Sequence, residues 1–292
     1  MRPPTTPDRG VCGGRALRPT FTYPAPPKGE NRFSFSDSPE YHREFLRCEG
    51  CGHYLARHAL NLDEIYTSEY AASVYGGPQA IRRAYERINS LPEDASDNAG
   101  RVRRVLAWGR KHLDMPKDRR PSVLDVGSGL CVFLHRMRAA GWDCTAMEPD
   151  PAYAAHAENV VGVKAVAADF NTAKGLGRFD LLSFNKVLEH FPDPTSVLRR
   201  APLYLAPGGG IYVEVPDGEA AAAEGPGREE FFVEHFHAFS PRSLRIMADR
   251  AGLFPLAVER LREPSGKYTF RALFVPDKTP RMPDTETTAA GG

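Results

Sequence analysis

Asp125, Gly127, Ser128 and Gly129 stand together directly after the apolar pair Val123-Leu124. Glycines in such a turn let the backbone approach a ligand where a Cβ would clash. A carboxylate beside them suits a cationic or hydroxyl-bearing ligand. A pyrophosphate fits poorly, because Asp125 would repel it at the start of the following helix. The third small residue of a dinucleotide fingerprint would fall at Val132, which is neither glycine nor alanine. Glu148-Pro149 follows at about the 20-residue spacing from which a carboxylate accepts hydrogen bonds from both ribose hydroxyls. At Asp169-Phe170 a carboxylate can receive an exocyclic amino group while the ring packs on a base. Imidazoles supply proton acceptors that titrate near neutrality, and His190, His235 and His237 are the candidates.

These residues need a scaffold, and the apolar pattern supplies one. Strand, glycine turn and the amphipathic stretch Leu130–Ala140 open an α/β unit. Asp143–Met147 reads as a second strand, with Glu148 just past it. Phe179–Phe184 reads as a buried strand ending in Asn185-Lys186. A helix over Pro194–Leu205, the turn Pro207-Gly208-Gly209-Gly210 and a strand over Ile211–Val215 follow. After a helix over Pro241–Ala251, Leu256–Leu261 and Tyr268–Phe274 are separated by a short connection holding Pro and Gly, which favours an antiparallel hairpin. An all-parallel dinucleotide domain would not end this way, a second point against a nicotinamide-dependent oxidoreductase. Asp217–Ser240 is a long insertion at the carboxyl edge of the sheet, where open α/β sheets bind ligands.

From about Ser122 to Leu253 the chain resembles a class I S-adenosylmethionine (SAM)-dependent methyltransferase. FDLLSFNKVLEHFPDP, LAPGGGIYVEVPD and HFHAFSPRSLRIMADRAGL resemble the subgroup of ubiquinone-type O-methyltransferases and sugar C-methyltransferases. The resemblance implies an α/β, Rossmann-like, seven-stranded mixed sheet with an antiparallel last strand. It puts Asp125, Gly127, Ser128 and Gly129 around the methionine part of SAM. Glu148 and Pro149 fall at the ribose, Asp169 and Phe170 at the adenine, and Asn185 near the sulfonium. One departure stands out: the third glycine of the family's loop is Cys131 here. The histidine of the subgroup's H-x-x-x-F-S pattern matches His235, so it ranks first as general base, with His237 and then His190 behind it. Tyr66, Tyr70 and Tyr75 resemble a tyrosine-rich segment covering the methionine end, where a phenol offers a hydrogen bond and a face for the sulfonium.

Before that domain the sequence divides into a Pro/Gly-rich, cysteine-containing module over 1–60 and a helical region over 61–120. Residues 41–120 read as mostly helical. Apolar residues recur at helical spacing in Gln79–Leu91 and Arg101–Leu113. The methyltransferase domain spans 121–275, and the polar tail 276–292 reads as frayed. Cys48-Glu49-Gly50-Cys51 has the form of a zinc knuckle. The sugar methyltransferases it resembles carry two such pairs, and here Arg9 stands where the first cysteine of the earlier pair would be. Cys12, Cys48 and Cys51 remain as thiolates for a structural Zn²⁺, with His42, His53 or His58 as fourth ligand. Cys131 and Cys144 read as small core residues.

Charge excludes little and hints at less. The 292 residues carry 38 basic and 37 acidic side chains, which argues against nucleic acid as partner. No apolar run reaches membrane-spanning length. The N-terminus lacks the apolar region of a secretory signal, and five cysteines do not suit a secreted disulfide scaffold. The expectation is a cytoplasmic enzyme using SAM to methylate a small-molecule acceptor of biosynthesis, a natural-product or sugar intermediate. O-methylation is favoured over C- or N-methylation. A catalytically silent SAM-binding partner protein is the alternative from another class, and a homodimer is kept open.

Overall fold

A computed structural model of the chain describes residues 9–33, 35–37, 41–58, 60 and 77–277; Tyr66, Tyr70 and Tyr75 lie outside them. Strands β1 (Leu17–Tyr23), β2 (Arg43–Cys48) and β3 (Tyr54–His58) come first. Helices α1 (Pro78–Asn89) and α2 (Asp97–His112) follow. The α/β unit then runs β4 (Ser122–Val126), α3 (Val132–Ala139), β5 (Asp143–Met147), α4 (Pro151–His156), β6 (Lys164–Val166) and β7 (Phe179–Asn185). It continues with α5 (Pro194–Arg200), β8 (Leu205–Pro216), α6 (Gly218–Ala222), β9 (His237–Ala238), α7 (Pro241–Arg250), β10 (Leu253–Arg262) and β11 (Tyr268–Pro276).

The large sheet has seven strands in the order β10-β11-β8-β7-β4-β5-β6. Its core strands pair parallel, and β11 runs antiparallel to both β8 and β10. The expected terminal hairpin is therefore present. β4 and β7 are apolar because both their faces are covered. Alternation along β4 points Val123 at the layer of α2 and α3, and Leu124 at the layer of α5 and α7. Trp108, Val105 and Val102 of α2 fill the first layer. Ser96 caps α2 by accepting the Ala99 N–H. The helix expected over Pro194–Leu205 ends at Arg200 and tightens into a 3₁₀ turn over 201–204, where Pro202 lacks the N–H an α-helix would use. The predicted Pro-Gly-Gly-Gly turn is absorbed into the start of β8.

The N-terminal region differs from expectation. Helices occupy 78–112, but residues 43–58 form an antiparallel hairpin that joins β1 and β9 in a four-stranded sheet, order β1-β2-β3-β9. The reason is tertiary. Phe45 and Tyr54 bury their rings against Phe231, which belongs to the insertion before β9. The N-terminal module is thus stitched to the insertion of the α/β unit. Among the described residues no helix is long and apolar enough to cross a membrane.

Candidate functional site

The strand order reverses beside β4, whose neighbours are β5 and β7. A cavity of about 470 Å³ opens at the carboxyl ends of these strands, as topology requires of an open α/β sheet. Gly127, Gly129, Glu148, Pro149, Asp169, Phe170 and His190 line it. One contiguous pocket thus collects expected site residues from four strand ends.

The floor is built by the turn after β4. Gly127 has φ +67°, and a Cβ there would sit 2.5 Å from Val187 Cγ2, in the cavity wall. Only glycine allows that approach. Gly127 N–H donates to the Met147 carbonyl at 2.8 Å, and Gly129 N–H donates to Glu148 Oε2 at 3.0 Å. Burial holds the Glu148 carboxyl above its usual range, and the N–H groups of Gly129 and Asp150 oppose that. Cys131, where the resembled loop has its third glycine, lies in the left-handed region with φ +59°.

Asp125 lies beneath the cavity, 2% exposed. Its Oδ1 accepts from Ser183 Oγ and Asn185 Nδ2, both at 2.7 Å. Burial pushes its pKa up to about 7, against those two hydrogen bonds. Asn185 therefore braces Asp125 instead of lining the cavity, and Ser128 also lies outside the lining. Asp169 organises its own turn, its Oδ1 accepting the Asn171 N–H at 2.9 Å. The Phe170 ring is 2% exposed and packs edge-on against Phe184 and Tyr204. It is a core residue that also forms part of the cavity wall.

At the other end stand Glu189, His190 and His235, each offering a ligand atom within 4.8 Å of the others. His190 Nδ1 bonds the Glu234 carbonyl at 2.9 Å, and His235 Nδ1 bonds the Glu230 carbonyl at 3.1 Å. A carbonyl partner makes each Nδ1 the donor, which leaves the lone pair on Nε2. The rings meet edge to face with centroids 4.9 Å apart. Burial lowers both imidazoles, His235 further because His190 faces it. Both are neutral at pH 7. Burial pushes Glu189 up to about 8, and its Oε2 has no hydrogen-bond partner among the described residues. Such a set can accept a proton or hold a divalent cation.

His237 is not part of this cluster. It is 2% exposed, and its ring bonds His53 Nε2 at 2.9 Å and the Pro192 carbonyl at 3.3 Å. With both nitrogens engaged in the interior, it is withdrawn as a catalytic candidate. The same bonds, with Ser243 on the other side of His53, remove His53 as a metal ligand. Cys12, Cys48 and Cys51 do converge within 4.8 Å. His58 pairs with Arg43 at the far end of the hairpin from Cys48, about 16 Å along the strand. His42 precedes that same end, so none of the three histidines completes a site with the thiols.

Sequence reasoning missed Asp150, Tyr153 and Lys186, which also line the cavity. Asp150 was findable: Asp-Pro is a helix-start signal, and its side chain caps α4 at the Ala152 N–H.

Residues 98–258, more than half of the chain, match the model of a methyltransferase domain. The chain belongs to the class I SAM-dependent methyltransferases. Among curated relatives, the ubiquinone biosynthesis O-methyltransferases of Escherichia coli O157:H7 and Shigella boydii serotype 18 are each 33% identical over 163 residues. The match covers 53% of this chain and 61% of each relative. Among solved structures, the 1,6-didemethyltoxoflavin-N1-methyltransferase of Burkholderia thailandensis, crystallised with 1,6-didemethyltoxoflavin and S-adenosylhomocysteine, superposes with TM-score 0.51 at 20% identity, covering 85% of this chain and 100% of that one. The magnesium protoporphyrin IX methyltransferase of Synechocystis, with bound S-adenosylhomocysteine, gives TM-score 0.52 at 11% identity, covering 74% and 97%. At these identities the likeness is one of fold.

Proposed function

We propose that this chain transfers the methyl group of SAM to a small-molecule biosynthetic acceptor, a natural-product or sugar intermediate, with O-methylation favoured. One observation carries the reading: a single cavity has Glu148, Asp169 and the glycine turn in its walls and His190, backed by His235, at its other end. The donor residues fit a nucleoside. Glu148 is a half-buried carboxylate facing the cavity, suited to ribose hydroxyls, and Asp169 suits the adenine amino group. Tyr70 and Tyr75 are assigned to the methionine end by resemblance. SAM supplies an activated methyl group on a sulfonium. The protein has to hold the acceptor in line with that methyl and take up its proton. As the acceptor oxygen bonds the methyl carbon, the carbon–sulfur electrons go to sulfur and the acceptor proton goes to Nε2 of His235 or His190.

Calorimetry with S-adenosylhomocysteine, followed by an acceptor screen, tests this. Micromolar binding, weakened at least tenfold in Glu148→Gln, is expected from a lost charged hydrogen bond. His235→Ala lowers kcat about 10²–10⁴-fold at unchanged S-adenosylhomocysteine affinity. Near-normal turnover in that variant overturns the base assignment.

We also propose that Cys12, Cys48 and Cys51 hold a structural zinc. Burial opposes ionisation of Cys12, yet N–H donation from Gly14 and its thiol neighbours bring its pKa below the ordinary value. A thiolate-ready cluster of this kind suits Zn²⁺, its fourth ligand lying outside the histidines considered above.

A further inference from the structure

Glu30 and Arg43 form an ion pair at 2.5 Å with both side chains 1% exposed. Every arm of the pair is used. Arg43 Nε donates to Tyr41 Oη at 2.7 Å, and Tyr41 in turn donates to Glu30 Oε1 at 2.9 Å. The guanidinium lies 3.8 Å over the Tyr23 ring. Two bonds leave the N-terminal module altogether. Arg43 Nη1 donates to the Phe231 carbonyl at 2.6 Å, and Glu30 Oε2 accepts the Val233 N–H at 2.7 Å.

Those bonds grip the backbone that carries His235. Downstream, Phe236 N–H donates to the Glu189 carbonyl and the Phe236 carbonyl accepts from Ala56 N–H, at 2.8 and 2.9 Å. On either side of the gripped residues, the Glu230 carbonyl holds the His235 ring and the Glu234 carbonyl holds the His190 ring. Both imidazoles are thus aimed by carbonyls of one short segment, and that segment is pinned from outside the α/β unit. A buried ion pair is weak evidence for stability as such, since apolar replacements often serve as well. Its geometry here does something apolar side chains cannot: it bonds the carbonyl that ends a 3₁₀ turn over 229–231 and an N–H of the irregular stretch after it.

We infer that Glu30 and Arg43 are positioning residues for His235, acting through the backbone of 231–236. The inference rests on the reading of His235 as proton acceptor, and the test separates the two. The full chain is labelled on its histidine side chains, and the His235 resonance, assigned with His235→Gln, is titrated by NMR. The groups facing this ring are His190, Glu189, Lys186 and Lys267. Glu30→Gln leaves Arg43 without its counter-charge and is the sharp variant. Glu30→Leu/Arg43→Met removes the grip without stranding a buried charge, and keeps the test valid where Glu30→Gln fails to fold. In either variant the segment loosens, the imidazole gains water, and its titration moves up toward the ordinary value. S-adenosylhomocysteine affinity by calorimetry stays within twofold, and turnover of a screened acceptor falls 10- to 100-fold with KM little changed. A merely structural role would lower the melting temperature and leave the His235 titration where it was; that result, in a folded double variant, overturns the inference. A moved titration with unchanged kcat supports the positioning and overturns the base assignment instead.

Discussion

Asp125→Asn should make the ligand-free protein more stable at alkaline pH. In the fold, burial raises the carboxyl from 3.8 to about 7. The folded state then holds a proton that the unfolded chain releases near pH 4. Between about pH 4 and 7 the native state binds more protons than the unfolded state, so stability falls as pH rises through that window and levels off above it. Moving the proton affinity from 3.8 to about 7 corresponds to about 4 kcal/mol as an upper bound. Asparagine keeps an oxygen for Ser183 Oγ and Asn185 Nδ2, both of which bond Oδ1, and it carries no charge. The variant is expected to match wild type near pH 4 and to exceed it by about 2–4 kcal/mol at pH 8. Urea unfolding of both chains from pH 4 to 8 measures this. Taking the difference between chains cancels the other buried carboxyls. A pH-independent difference, or a variant less stable at pH 8, would refute the argument and show Asp125 ionised and compensated in the fold.

Two shorter predictions concern the glycine turn and the thiols. Gly127→Ala combines a left-handed φ with a 2.5 Å contact to Val187 Cγ2, and should destabilise by about 2–4 kcal/mol in urea unfolding; Gly129→Ala, with φ +48° and nothing within 4 Å of the added Cβ, should lose only the strain of about 1–2 kcal/mol. Equal losses would mean that the Val187 contact relaxes freely. The full chain purified under reducing conditions should carry about one equivalent of zinc by elemental analysis, lost in Cys48→Ser together with several degrees of melting temperature. A metal-free chain indifferent to that substitution would count against the site.

The glycine turn and the acids expected beside it were legible as parts of one cavity because their information is local. β4, its turn and α3 are contiguous in sequence, and the strand ends that present Glu148 and Asp169 follow within one crossover each. The departure at Cys131 was visible too, and the structure shows why it matters: a non-glycine residue holds φ +59° there. The N-terminal sheet was not legible. β2 and β3 are six and five residues long, and the aromatic surface that makes them strands comes from Phe231, far along the chain. The same distance hid the partner that takes His237 out of contention. His235 and His237 are two residues apart, yet His237 begins β9 and turns inward to His53, whereas His235 stays in the segment gripped by Glu30 and Arg43. Locally only the H-x-x-x-F-S pattern, which matches His235, separates them.

Acids that the fold keeps reluctant to ionise stand next to residues that line the cavity, Asp125 beside Val126 and Glu189 beside His190. Asp125 is raised to about 7 and Glu189 to about 8, in each case chiefly by burial. A core selected for stability alone would place amides or apolar groups at these positions, so their retention points to a ligand that changes the balance. SAM carries a sulfonium and an ammonium, and a cation arriving beside a raised carboxyl favours its charged form. On this account donor binding expels protons and recovers free energy that the empty site gives up. The affinity for SAM should then rise between pH 6 and 8 more steeply than the affinity for S-adenosylhomocysteine, which lacks the sulfonium. The two ligands differ by one methyl group and one charge, so that contrast isolates the electrostatic contribution from the fit of the nucleoside.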